Sequence, residues 1–474
     1  MPRRPRLRLT VAVGLTAAVL APMTAHAATG RESRDVGTVS HVGRWMTDPQ
    51  GRVLIFHGAD IDLSAFDAKK DPALMKSSGF NSVKFYVPGA SIEPKPGVFD
   101  DKYLAKIKDD QQALWHHGIY SVLDIQGGAN FGDMNQGYVT VPGTSEHVQD
   151  PTGVLSKGLF PVLNQGEQNF WDNRPGAGGV PVWDLFAAMA KHFAAFFRGT
   201  PGISGYSLFN EIVPGSSDNV QDKSPMGDPH FDVDVLAPFY RNAMAAMREA
   251  DPTTPIHYEP NANFNLNYTP SWIPRLGDRN VVFDYHAYAN AAASPFSGAP
   301  LGASRAGEAQ LVADRNNAPA FAAEMFYSAN LDQFDKAMQG WNYFMWEPAG
   351  TPTFNPLVHL GGCADHPTAG LDGTRGGWAG CFVRPYPRAI AGTPTGWSFD
   401  AISKTFTLTY RTRQPGGAVG TGTTEVFVPK LIYPSGFSLA LNGARVADTG
   451  MDGQVLELRA NRGADSVSVT VTPK

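Results

Sequence analysis

Two apolar runs in this chain end in carboxylates. Tyr206-Ser207-Leu208-Phe209 leads directly into Asn210-Glu211, and Ala320-Phe321-Ala322-Ala323 leads into Glu324. In a parallel barrel the reactive groups gather where the strands end, so acids closing such runs are the first candidates for chemistry. Two carboxyls about 5–5.5 Å apart can perform a double displacement at an anomeric carbon. One attacks the carbon, and the other protonates the leaving oxygen and later deprotonates water. Asn210 precedes the candidate acid and could hydrogen-bond the hydroxyl next to the reacting carbon. Taken singly, each glutamate reads better as a solvated loop carboxylate, by roughly two to one. Their pairing at the fourth and seventh of eight strand-like runs, with Asn before the first, favours catalysis.

Those eight runs must position the pair. They are Val53–Phe56, Ser82–Tyr86, Ser121–Asp124, Tyr206–Phe209, Pro255–Tyr258, Val281–Asp284, Ala320–Ala323 and Asn342–Met345. Helical stripes lie between several of them. Val182, Leu185, Phe186, Met189, Phe193, Phe196 and Phe197 form one, and Leu236, Tyr240, Ala243, Met244 and Met247 another. Strands alternating with helices imply parallel pairing and right-handed crossovers, and eight units fit an α/β fold of the (β/α)8 TIM barrel type. No G-x-G-x-x-G follows the first run, which speaks against a doubly wound dinucleotide-binding sheet. After residue 391 the period becomes two: Phe406, Leu408 and Tyr410 alternate with Thr407 and Thr409, and Val467, Val469 and Val471 with Ser468 and Thr470. A small C-terminal all-β sandwich is expected there.

Composition narrows the classes. Of 474 residues, 42% are hydrophobic and 18% charged, so the chain can bury a sizeable core. A net charge of −5 argues against a nucleic-acid partner. Arg3, Arg4, Arg6 and Arg8 precede the apolar run Leu9–Ala21, which is too short to span a bilayer, and Ala25-His26-Ala27 follows. This pattern predicts a bacterial-type secretory signal over 1–27, a barrel over 28–390 and a sandwich over 391–474. Loss of the four arginines takes the net charge from −5 to −9. That leaves at most transient contact with a membrane surface, and a secreted monomer is expected. In an oxidising compartment Cys363 and Cys381 are expected to pair. His116-His117 closes a helical pattern with no carboxylate grouping, so neither a metal nor a cofactor is expected.

The motifs carry a family resemblance. Ser207-Leu208-Phe209-Asn210-Glu211, Phe283-Asp284-Tyr285-His286-Ala287-Tyr288 and Phe321-Ala322-Ala323-Glu324 resemble the strand 4, 6 and 7 motifs of glycoside hydrolase family 5. Phe80–Phe85 followed by Ile92–Asp100 resembles its second strand and loop. Arg384–Pro394 is similar to the junction that endoglycoceramidases carry between barrel and sandwich, and Asn169-Phe170-Trp171 to their strand 3 loop.

The resemblance implies Glu211 as acid/base and Glu324 as nucleophile. It implies His286 and Tyr288 beside the nucleophile, Trp346 as an aromatic platform under the sugar, and Trp171 stacking on sugar or packing against lipid. Lys84 stands where the family usually has Arg, Ile212 where it has Pro, and Asp124-Ile125-Gln126 where endoglycoceramidases carry a histidine-containing run. These departures bear on substrate more than on mechanism. The implied substrate is a glycolipid or oligosaccharide, cut between glycan and ceramide with water as acceptor. Phe131, Met134, Phe264, Phe326 and Phe354 are candidates for the lipid side. Another β-glycosidase specificity, of galactosylceramide, glucan or alkyl β-glycoside type, stays open, as does a binding protein on a barrel without catalysis.

Overall fold

A computed structural model describes residues 39–126, 170–212, 230–265, 269–287, 302–325, 328, 331–347, 375 and 379–474. The chain divides into two compact units. Among the described residues, one comprises those within 39–48 and 54–383, and the other those within 49–53 and 384–474.

The larger unit is a closed barrel of eight parallel strands: β1 His57–Ile61, β2 Ser82–Pro88, β3 Tyr120–Gln126, β4 Ile203–Leu208, β5 Ile256–Tyr258, β6 Val281–Ala287, β7 Ala320–Met325 and β8 Trp341–Trp346. They pair in chain order, and β8 closes on β1 through Trp341 opposite His57. Helices α1 Asp71–Ser77, α2 Asp101–Trp115, α3 Val182–Phe197, α4 Ala237–Ala250, α5 Gly302–Arg315 and α6 Leu331–Ala337 lie between strands. The apolar stripe of α3 is buried at Val182, Phe186, Met189, Phe193 and Phe197. Pro238 follows a π-helical stretch, Phe231–Leu236, that runs without a break into α4.

Seven of the expected runs land on barrel strands; the first does not. Val53–Phe56 is buried but leads into β1, which begins at His57. Asn81 fixes that entry, accepting from the His57 N–H at 2.9 Å and donating to the Ile55 carbonyl at 2.8 Å. The sequence of β1, His-Gly-Ala-Asp-Ile, has a single β-branched residue, and at Gly58 the interior leaves no room for a side chain. A Cβ on Gly58 would lie 1.9 Å from the Ser82 carbonyl oxygen and 2.6 Å from Asn342 Oδ1.

The second unit is antiparallel. Its strands are β9 Tyr386–Ile390, β10 Thr393–Asp400, β11 Thr405–Arg411, β12 Thr424–Phe427, β13 Phe437–Asn442, β14 Ala444–Gly450, β15 Val455–Ala460 and β16 Ser466–Pro473. In one sheet β9, β12, β15 and β14 follow one another, and in the other the order is β10, β11, β16, β13. Phe406, Leu408, Tyr410, Val467, Val469 and Val471 are all buried, as their alternation predicts. The unit begins at Arg384, earlier than residue 391, because β9 pairs with β12 and so belongs to it. Cys363 lies outside the described residues; Cys381 packs half-buried against the barrel core.

The steric limit at Gly58 is directly testable. Gly58→Ala is expected to destabilise the barrel by about 1–3 kcal/mol or more, since backbone must shift to admit the methyl group. A lower denaturant midpoint at unchanged slope is the expected result, and an unchanged midpoint contradicts the packing described.

Candidate active site

The fourth strand ends in a sharp turn. Phe209 and Glu211 both have left-handed φ, 69° and 48°, a conformation non-glycine residues hold only where surroundings over-determine it. The turn places Asn210 inside the barrel, buried, and leaves the Glu211 side chain 22% exposed. Glu324 comes from the end of β7, where the register against β6 shifts and sets it opposite His286. One oxygen of Glu211, one nitrogen of His286 and one oxygen of Glu324 lie within 4.8 Å of one another. His286 Nδ1 is 3.1 Å from Glu211 Oε1 and 3.4 Å from Glu324 Oε2. This spacing is well short of the roughly 6.5–9.5 Å of an inverting pair and fits double displacement with retention.

The imidazole between the two glutamates is hemmed in by a third carboxylate. His286 Nε2 lies 3.4 Å from Glu259 Oε1, so both ring nitrogens face carboxylates. Burial would lower its pKa, yet Glu324 and Glu259 raise it well above the ordinary histidine value.

Lys84, fully buried on β2, ties the site together. Its Nζ donates to Asn210 Oδ1 at 2.9 Å, Glu259 Oε1 at 3.2 Å and Glu324 Oε1 at 3.3 Å, with Asp124 Oδ2 at 3.4 Å. Burial alone would lower its pKa; Asp124, Glu259 and Glu324 outweigh that and hold it well above the usual lysine value. The position that the family fills with arginine therefore still carries a cation, but one that spreads point-charge contacts instead of a planar fork.

Asn210 and Lys84 are in direct contact, and Asp124 joins them. Gln126 donates to Asp124 Oδ2 at 2.5 Å, and Asn210 Nδ2 donates to Gln126 Oε1 at 3.4 Å. Tyr288 lies outside the described residues. Another tyrosine reaches the nucleophile: Tyr86 Oη, two residues after Lys84 on β2, donates to Glu324 Oε1 at 2.5 Å.

Both tryptophan expectations need correction. Trp171 is 3% exposed and packs among Phe209, Phe231 and Phe239, with ring centroids 5.2–5.5 Å away. Trp346 is fully buried, edge-on to Phe80 at 6.4 Å. Both rings build the shell of the barrel and present no face to a sugar. On β8 the aromatic beside the site is Phe344, half-buried, with its ring 5.9 Å from that of Tyr86. Phe264 likewise belongs to the core, against Phe283 and under the Arg305 guanidinium. Phe131, Met134, Phe326 and Phe354 lie outside the described residues.

Glu259 was not foreseen, although it closes the run Pro255–Tyr258 by the same rule that picks out Glu211 and Glu324. Burial would raise its pKa, but Lys84 and His286 hold it down at about 2. Asp124 goes the other way. Burial pushes it up, Lys84 opposes this, and Glu259 and Glu324 add to it, bringing the carboxyl to about 7.

Between the unfolded value near 3.8 and about 7, folded Asp124 keeps a proton that the unfolded chain releases, so its contribution to stability falls as pH rises through that window. Asp124→Asn is neutral throughout. The variant is expected to gain on wild type by roughly 2 kcal/mol or more between pH 4 and pH 8, read from unfolding at both ends. Parallel curves would contradict the raised carboxyl.

Comparison with known proteins agrees with this geometry. Residues 56–353 match the model of the cellulase family, glycosyl hydrolase family 5, and 384–472 match the glycoside hydrolase family 5 C-terminal domain. Endoglycoceramidase I of Rhodococcus hoagii is 26% identical over 444 residues, spanning 87% of this chain and 84% of that protein. The solved structure of endo-glycoceramidase II from Rhodococcus sp. superposes with a TM-score of 0.71 at 22% identity, over 91% of this chain and 99% of that one. That of an endogalactoceramidase gives 0.66 at 21% identity, over 92% and 100%. With its closed barrel, its paired glutamates at strands 4 and 7 and its C-terminal domain, the chain is a glycoside hydrolase and belongs to glycoside hydrolase family 5.

Proposed function

We propose that the protein is a retaining β-glycosidase that releases the intact glycan of a glycosphingolipid from its ceramide. The observation that carries the mechanism is the grouping of Glu211, His286 and Glu324 within 4.8 Å. Tyr86 and Lys84 anchor Glu324 Oε1, which fixes the carboxylate plane and presents Oε2 on the side where His286 and Glu211 stand. Oε2 attacks the anomeric carbon while the Glu211 carboxyl gives its proton to the departing glycosidic oxygen. Glu211 then takes a proton from water, and the hydroxide displaces Glu324 with overall retention. No cofactor enters these steps.

The lipid part of the reading is supported by likeness to endoglycoceramidases along most of the chain. A galactosylceramide head group is the second reading. It is favoured by the likeness to an endogalactoceramidase and by a strand 3 end in which Gln126 bridges Asp124 and Asn210, a departure from the histidine-containing run of the endoglycoceramidase resemblance. Export by the 1–27 segment, a Cys363–Cys381 disulfide, a monomeric state and transient membrane-surface contact complete the proposal. Among the described residues no helix is long and apolar enough to cross a membrane.

Purified enzyme is to be offered glucosylceramide, galactosylceramide, ganglioside GM1 and cellulose, with products weighed by mass spectrometry. Intact oligosaccharide plus ceramide is the expected product pair for at least one lipid, with roughly a thousandfold loss or more in Glu324→Gln. Turnover of cellulose alone, or sugars released one at a time, contradicts the lipid reading. Equal turnover by the variant contradicts the nucleophile.

A further inference from the structure

Glu259 follows β5 with its carboxylate fully buried, and it touches two parts of the acid/base apparatus. Oε2 accepts from the peptide N–H of Glu211 at 3.0 Å. Oε1 lies 3.4 Å from His286 Nε2, and the opposite edge of that imidazole, Nδ1, is 3.1 Å from Glu211 Oε1. One carboxylate therefore reaches Glu211 by two routes, its main chain and the ring beside its side chain. The main-chain route matters because Glu211 sits at φ 48°, a conformation that needs outside support in a residue with a side chain. A peptide N–H held by an anion is the stronger kind of hydrogen bond. Glu259 is itself clamped: the Tyr240 hydroxyl donates to its carbonyl at 2.9 Å and accepts from its N–H at 2.8 Å.

We infer that Glu259 is a positioning residue for the acid/base half of the reaction, holding the Glu211 peptide and the His286 ring so that the Glu211 proton is delivered to the glycosidic oxygen. Glu259 also lies 3.2 Å from Lys84, so the competing role is charge balance around the nucleophile. The two roles differ in leaving-group dependence. An alkyl leaving group needs the proton as the carbon–oxygen bond breaks, whereas 2,4-dinitrophenolate leaves without it. Damage to the nucleophile slows both substrates alike.

The inference rests on the glycosidase reading, and wild-type turnover of the dinitrophenyl substrate checks that reading separately in the same assay. Glu259→Gln is expected to lower kcat/KM on an octyl β-glycoside roughly 30–100-fold and on the matching 2,4-dinitrophenyl β-glycoside less than about threefold. Added azide, a nucleophile that needs no general base, is expected to speed turnover of the dinitrophenyl substrate by the variant. Tyr240→Phe frees the Glu259 main chain without changing any charge, and is expected to show the same dependence in milder form. It serves as the test if Glu259→Gln does not fold. Equal losses on the two leaving groups, or no loss on either, would overturn the inference.

Discussion

A single ammonium, that of Lys84, is the contact on which the site depends. It sits with no solvent exposure between side chains from β3, from the ends of β4 and β5, and from β7. Burying a charge is unfavourable unless its partners surround it, and removing one partner of such a pair typically costs about 3–5 kcal/mol. The barrel supplies that surround only when closed, because the partners come from strands far apart in sequence. Closing the fold and assembling the site are thus one event. The same cation draws together Asn210, Glu259 and one oxygen of Glu324, and so sets the orientation of the nucleophile.

Around Lys84 the acids outnumber the cations. Asp60, Asp124, Glu211, Glu259 and Glu324 share the mouth of the barrel with Lys84 and His286. Charge is divided unevenly as a result. Glu259 faces both cations and stays ionised. Asp60, buried and facing Glu324, has its carboxyl pushed well above the ordinary range, as does Asp124. Protonation is thereby favoured at some of these carboxyls, and the fold avoids an uncompensated stack of negative charge.

Much of this was legible in the sequence, and the misses have physical causes. Alternating strands and helices gave away the barrel, and strand-end acids gave away Glu211 and Glu324. The first strand escaped notice because it carries Gly58 where a β-former would signal a strand: Gly58 faces backbone and an amide at distances no side chain tolerates. Trp346 was expected to lie under the sugar but is buried, because plain alternation along a strand misses an irregularity in it. That irregularity is a register shift of β8 between Tyr343 and Trp346. Trp171 looked like a loop aromatic but fills a core of phenylalanines that only the packing of β4 and α4 creates. Tyr86 and Glu259 carried their signals openly, one two residues from Lys84 and the other at a strand end. Their partners come from distant strands, so the contacts themselves could not be read from spacing.

The central claim is that Glu324, oriented by Lys84 and Tyr86, forms the covalent bond to sugar. Incubation with a 2-deoxy-2-fluoro β-glycoside bearing a dinitrophenyl leaving group stalls the second half of the reaction, and peptide mass mapping then locates the sugar. The account predicts one sugar per protein on the peptide that contains Glu324. A sugar on Glu211, or turnover with no covalent species at all, would contradict it.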